Sequence, residues 1–173
     1  MKKYILLIFI ILLLTVLICS KNKSKDTCCE VEFVLIPKQQ LIPIYKDYKN
    51  HVVINSILND TISENYFIGV IYEIKNNFSR IKGSYVFGEE IIEGWIKTEH
   101  LGIYLSDFLN VSLYSKPFYS SKKWILKNPE WYPIPIIKCK NNWVYVKYID
   151  SHQKKSGWIP PEHQSSNPYT ISN

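Results

Sequence analysis

Cysteine and histidine are the side chains of this 173-residue sequence best able to do covalent or metal chemistry. The cysteines are Cys19, Cys28, Cys29 and Cys139. A nucleophilic thiol needs a base within hydrogen-bond reach and a lowered pKa, usually at a helix N-terminus. Cys139 stands instead in a run that reads as a strand, between Lys138 and Lys140 and just before Asn141-Asn142. Cys28 and Cys29 fall in a polar stretch. A neighbouring pair plus distant cysteines makes no zinc knuckle, and whether Cys28 or Cys29 pairs with Cys139 stays open. Two Glu-His pairs, Glu99-His100 and Glu162-His163, could be imagined as ligands. Adjacent strand residues point to opposite faces, so one such pair cannot chelate an ion. His-Glu-x-x-His does not occur. The expectation is no enzyme, no metal and no cofactor.

The N-terminus bears on the compartment. Met1-Lys2-Lys3 is basic, Tyr4 to Ile18 is apolar apart from Thr15, and a polar stretch follows Cys19. This is the order of a secretory signal. The run is slightly short for a comfortable bilayer span of ~20 residues, and it lacks the polar face of a core helix. Val16-Leu17-Ile18-Cys19 resembles a bacterial lipoprotein box, except that Ile18 stands where a small residue is usual. The expectation is export, with a membrane anchor through a lipid on Cys19 or a retained helix; ordinary signal cleavage near Ser20 is the alternative. Export places the cysteines where disulfides persist. Residues 1–19 read as signal or anchor and 20–30 as a polar spacer. Beyond Lys2 and Lys3 the basic excess is mild and scattered, so nucleic acid is not an expected partner.

The rest of the chain reads as strands. Alanine is absent, while 13 Tyr and 5 Trp accompany many Ile and Val. An internal repeat organises them. Tyr66-Phe67 to Asn76-Asn77-Phe78 aligns without a gap on Trp131-Tyr132 to Asn141-Asn142-Trp143. Gly94-Trp95-Ile96-Lys97-Thr98-Glu99-His100 shares five of seven residues with Gly157-Trp158-Ile159-Pro160-Pro161-Glu162-His163, and Ile44-Tyr45 matches Leu113-Tyr114. Asn-Asn tolerates positive φ and suits a tight hairpin turn. Residues 46–65 and 115–130 read as loops before each central hairpin. Short strands separated by turns predict a small barrel or sandwich in each half.

These marks resemble the bacterial SH3 (SH3b) family: Leu113-Tyr114 at the opening, Asn142-Trp143-Val144-Tyr145-Val146 after the hairpin turn, and Gly157-Trp158-Ile159 before the last strand. The resemblance implies a mainly β chain of two tandem SH3-like barrels, residues 31–106 and 107–173, behind the hydrophobic signal or anchor helix. No residues then remain for a catalytic domain. It further implies an aromatic groove for extended ligands, lined by Tyr114, Trp143, Pro160 and His163 in the second repeat and by Tyr45, Phe78 and His100 in the first. Competing roles exist for several marks. Trp95 and Trp158 suit core packing, His100 and His163 suit a structural place, and Pro160-Pro161 would keep the last strand from edge pairing. The loop Ser115 to Lys123 is basic where the eukaryotic SH3 groove is acidic, which favours a ligand with carboxylates. The function implied is a non-catalytic binding or scaffolding protein of the cell envelope. Its ligand would be an envelope polymer such as peptidoglycan peptide, or an envelope protein. The alternatives are an inhibitor-like or immunity-like partner protein and an accessory subunit of a wall peptidase.

Overall fold

A computed structural model describes residues 29–36, 40–59, 65–106 and 110–166. The Tyr4–Ile18 segment, Cys19, Cys28 and the tail from 167 lie outside the described residues. The chain is mainly β. Its strands are β1 (Val31–Leu35), β2 (Leu41–Tyr45), β3 (Val53–Leu58), β4 (Phe67–Lys75), β5 (Phe78–Tyr85), β6 (Ile92–Lys97), β7 (Leu101–Leu105), β8 (Asn110–Tyr114), β9 (Lys123–Lys127), β10 (Ile134–Lys140), β11 (Trp143–Ile149), β12 (Lys154–Ile159) and β13 (Gln164–Ser165). Single 3₁₀ turns at Thr98–His100 and Pro161–His163 separate β6 from β7 and β12 from β13.

The pairings are antiparallel and run along one open path, β3-β2-β6-β5-β4-β1-β7-β10-β11-β12-β8-β9, with β13 attached to β7. The repeat explains this order. Beginning from β1 and from β7, each half has five further strands and then a 3₁₀ turn. When equivalents are exchanged, the path reads the same from either end. Matching pairs also share their irregularities. The β4–β5 ladder slips between Ile71 and Glu73, and the β10–β11 ladder slips at the equivalent place, between Ile136 and Lys138. The chain leaving β1 donates from the Ile36 N–H to the His100 carbonyl (2.9 Å), and the chain leaving β7 donates from the Ser106 N–H to the His163 carbonyl (3.2 Å).

β7 serves both halves. It pairs with β1 through Val34↔Gly102, with β10 through Ile134↔Ile103, and with β13 through Gln164↔Leu105. The expected boundary at 106/107 therefore falls beside a strand that belongs to both sides. One apolar cluster runs through both halves, from Phe33, Ile44 and Phe67 to Leu113, Val146 and Tyr148. The expected spacer also ends early. Cys29 is buried and bonded to Cys139 across a Cα–Cα distance of 5.6 Å, tying the entry of β1 to β10.

Two expected loops carry strands. β3 lies within 46–65 and β9 within 115–130. Among the described residues each pairs with one neighbour only, so one of its edges has no ladder there, and solvent tolerates mixed residues. The alternation that marks a half-buried strand is correspondingly weak. The glycine of each Gly-Trp mark has a packing cause. A methyl group at Gly157 would fall 3.0 Å from the Leu113 Cβ and from the Tyr114 carbonyl oxygen; at Gly94 it would fall 2.4 Å from Ile44 Cγ2. Only glycine lets β2 and β8 approach β6 and β12 this closely.

Both central hairpins turn on asparagine pairs at positive φ: Asn76 at 48° and Asn77 at 64°, Asn141 at 50° and Asn142 at 64°. Two successive left-handed residues are the requirement of a type I′ turn. An Asn77→Ala protein should lose about 1 kcal/mol of stability in urea unfolding, because a Cβ without a local hydrogen-bonding group is strained there. Asn77→Gly should keep the parental midpoint. Equal losses from the two substitutions would show that the Asn77 side chain, not its φ, matters.

Candidate functional site

The expected groove residues come together in part. Tyr114 and Trp143 meet edge to face with centroids 5.2 Å apart, and Tyr119 closes a third side at 4.9 Å from Trp143. In the first half Tyr45 meets Phe78 at 5.6 Å, with His51 stacked on Phe78 at 5.1 Å. Both third rings were missed in the sequence. They sit in the loop between the second and third strands of each half, at different offsets and as different residue types, so alignment of the repeats does not reveal them.

These rings cover the residues expected to bind. Trp143 is 6% exposed and Tyr114 7%, whereas Tyr119 is 59% exposed. The Tyr119 hydroxyl donates to Glu162 Oε2 at 2.9 Å, which straps the β8–β9 loop to the second 3₁₀ turn. That bond, then burial and the Glu162 charge, hold the Tyr119 phenol above its usual pKa. Trp143 is thus a covered ring rather than an open anchor. Pro160 is buried. Pro161 opens the 3₁₀ turn, and β13 pairs beyond it, so the two prolines do not end the sheet. Pro161 lacks the N–H with which Thr98 donates to the Asn77 carbonyl; in the second half Gln164 Nε2 donates to the Asn142 carbonyl instead. His163 and His100 close the two turns through their backbone carbonyls, and the His100 ring meets the Gln40 amide at 3.2 Å. The structure places both at structural joints and gives no ring contact from His163 to Tyr114 or Trp143.

What lies open is the outer face of the second half. Register sets a row across five strands: Lys138↔Tyr145↔Trp158↔Tyr114↔Lys123. Inward neighbours on these strands, such as Val144, Val146 and Leu126, are buried, so the row faces outward, and all of it but Tyr114, which lies under Tyr119, is exposed or half-exposed. Tyr145 and Trp158 are half-buried and their ring centroids lie 5.4 Å apart. Lys140 and Lys147 flank the row, and Lys123 Nζ stands 6.0 Å from the Tyr114 ring centroid. The equivalent row of the first half is Glu73↔Arg80↔Trp95↔Tyr45↔Val53. There Glu93 pairs with Arg80 at 2.6 Å and Glu73 with Lys75, while Tyr48 covers Trp95 at 5.0 Å. Among the described residues every recorded ion pair lies in this first half. Residues 31–106 hold seven Lys or Arg against nine Asp or Glu, and residues 107–173 hold nine against four. The halves thus carry about −2 and +5, a division hidden by the scattered overall charge.

A buried phenol braces the end of this face. Tyr148 is fully buried, and its hydroxyl accepts the Glu130 N–H at 2.7 Å. Burial, then its bond to Asp150, raises the Tyr148 pKa well above the phenol range. Desolvation pushes Asp150 up, but the Tyr148 hydroxyl and the His152 and Gln153 groups outweigh it and bring its pKa down to about 2. A lowered carboxylate pKa stabilises the fold above the unfolded value of 3.8, and that stabilisation fades as pH falls towards about 2. Tyr148→Phe should raise the Asp150 pKa, read by carbonyl NMR titration, and so move this loss to higher pH. An unchanged titration would assign the shift to the β11–β12 turn alone.

A cleft of about 500 Å³ lies between the Asn76–Phe78 turn, Lys97–Glu99 and Pro135–Ile137 of β10. Its charged rim is self-paired, Lys97 to Glu99 at 3.9 Å. Among the described residues no three His, Cys, Asp or Glu side chains gather as a metal site. The arrangement offers aromatic surface and unneutralised ammonium groups, which is recognition chemistry. No family model matches this chain, and no curated protein or solved structure matches it either.

Proposed function

We propose that this chain is a non-catalytic binding or scaffolding protein of the cell envelope, built of two SH3-like units behind an export signal. Its second unit holds an anionic envelope component such as peptidoglycan or the acidic surface of an envelope protein. The observation that carries the reading is the contrast of the two rows. The same register pattern is neutralised and covered in the first half, and is cationic with half-open rings at Tyr145 and Trp158 in the second. Unpaired lysines beside half-open rings have no packing purpose in a stable sheet, and they attract carboxylates by salt-sensitive forces. A lipid on Cys19, or the retained Tyr4–Ile18 helix, would hold the chain at the membrane. Purified sacculi should retain the chain at low salt and release it at high salt. Lack of retention at low salt would count against the wall as ligand.

A second reading is favoured by one edge. β3 ends the sheet path with Val53 at 56% and Ile54 at 52% exposure and no charge along its length, whereas its counterpart β9 has Lys123 and Lys127 at its ends. Lysines on an edge strand deter pairing, and β3 lacks them. A protein partner could add a strand there, as an inhibitor-like or immunity-like protein would require. A chain that ignores sacculi but co-purifies one envelope protein, and loses it on Ile54→Lys, would establish this reading.

A further inference from the structure

We infer that the outer face of β10, β11, β12, β8 and β9 is a binding platform for a linear acidic polysaccharide, laid across the strands along Lys138, Tyr145, Trp158 and Lys123. The inference rests on the second half being the binding half and names the ligand class of that site. Three observations select the class. First, the row crosses four strand spacings, about 19 Å, with lysine at each end and the half-exposed rings of Tyr145 and Trp158 between, Tyr114 lying under Tyr119. That length suits a chain of several units rather than a single small anion. Second, the backbone of β11 and β12 in this row is paired on both sides. An extended peptide on this face would find no main-chain donors or acceptors, which are what strand-like peptide recognition uses. Recognition must therefore come from side chains alone. The apolar C–H faces of pyranose rings pack on half-exposed Trp and Tyr rings, and uronate carboxylates meet ammonium groups at the flanks. Third, the cations here are all lysine, and the single arginine of the chain, Arg80, is ion-paired in the other half. An arginine fork fixes one planar bidentate partner, whereas lysine is a flexible point charge that can follow anionic groups spaced along a chain.

The two halves supply an internal control. Positions equivalent to Lys138 and Tyr145 are Glu73 and Arg80, which are neutralised by Lys75 and by Glu93. A carbohydrate chain would meet no net charge there.

The test uses the full-length chain and polygalacturonate oligomers, with neutral dextran, poly-glutamate and a single-stranded oligonucleotide as comparisons. Polygalacturonate is expected to bind, to weaken as salt rises from about 0.05 to about 0.5 M, and to bind more tightly than the other three. Lys123→Glu with Lys138→Glu should weaken it by about tenfold or more, and Tyr145→Ser several-fold, both with unchanged unfolding midpoints. Lys75→Glu in the first half should leave it unchanged. Equal affinity for poly-glutamate or the oligonucleotide would overturn the inference by showing charge attraction without sugar recognition. Binding that survives the lysine pair substitution would overturn the location. A chain retained by sacculi through the second half but indifferent to polygalacturonate loses only this inference. One that binds neither loses the proposed function as well.

Discussion

Trp143→Ala is expected to destabilise the protein by about 3–5 kcal/mol, the range for truncating a large buried aromatic. The ring is 6% exposed and sits against Tyr114 and Tyr119. Its loss would leave a cavity that the strapped β8–β9 loop, tied down by Tyr119 to Glu162, can refill only in part. Trp143→Phe should cost much less, about 1 kcal/mol, because the first half already builds its cluster around Phe78. Urea unfolding of the three proteins decides the matter. A loss under about 1 kcal/mol for the alanine variant would mean that Trp143 is a surface platform after all, the role its sequence position suggests. Binding measurements on Trp143→Ala are therefore uninformative until its folded fraction is known, and Tyr145 is the better probe of the outer face.

The second large effect concerns the Cys29–Cys139 bond. It joins residues 110 apart, across both halves of the sheet. Removing a cross-link that closes so long a loop typically costs about 2–5 kcal/mol, chiefly by releasing the unfolded chain. Cys139→Ser, or treatment with a thiol reductant, should lower the unfolding midpoint accordingly. Cys28→Ser should leave the midpoint alone, because Cys139 already has its partner. A destabilised Cys28→Ser protein with an intact Cys29→Ser counterpart would reverse the assignment. The consequence for function is a protein suited to an oxidising compartment, where such a bond persists, in keeping with the proposed export.

Much of the fold was legible because its signals are local. An Asn-Asn pair needs no distant partner to favour a left-handed turn, and a run such as Trp143-Val144-Tyr145-Val146 favours a strand wherever it lies. The repeat was legible for the same reason, since each mark is a short string at a similar spacing. Edge strands β3 and β9 were not legible, because an edge is defined by what fails to pair with it. The choice of Cys29 over Cys28 was equally hidden. Adjacent residues point to opposite sides, and only the packing of β1 beside β4 and β7 turns Cys29 inward towards β10.

The candidate site divides in the same way. The family resemblance singled out Tyr114, Trp143, Tyr45 and Phe78 as groove residues, and the structure packs them against one another in two clusters. Whether those rings are open was decided by Tyr119 and His51, loop residues whose reach depends on the path of a whole connection. The row from Lys138 to Lys123 was decided by four separate strand registers joining residues as far apart as Tyr114 and Trp158. A shift of one residue in any register would send a row member to the other face. Residue types along the chain can state what each side chain is able to do. Which of them act together depends on registers set by the burial of Val144, Val146, Leu113 and Leu126, because the core face of each strand fixes which residues the other face presents.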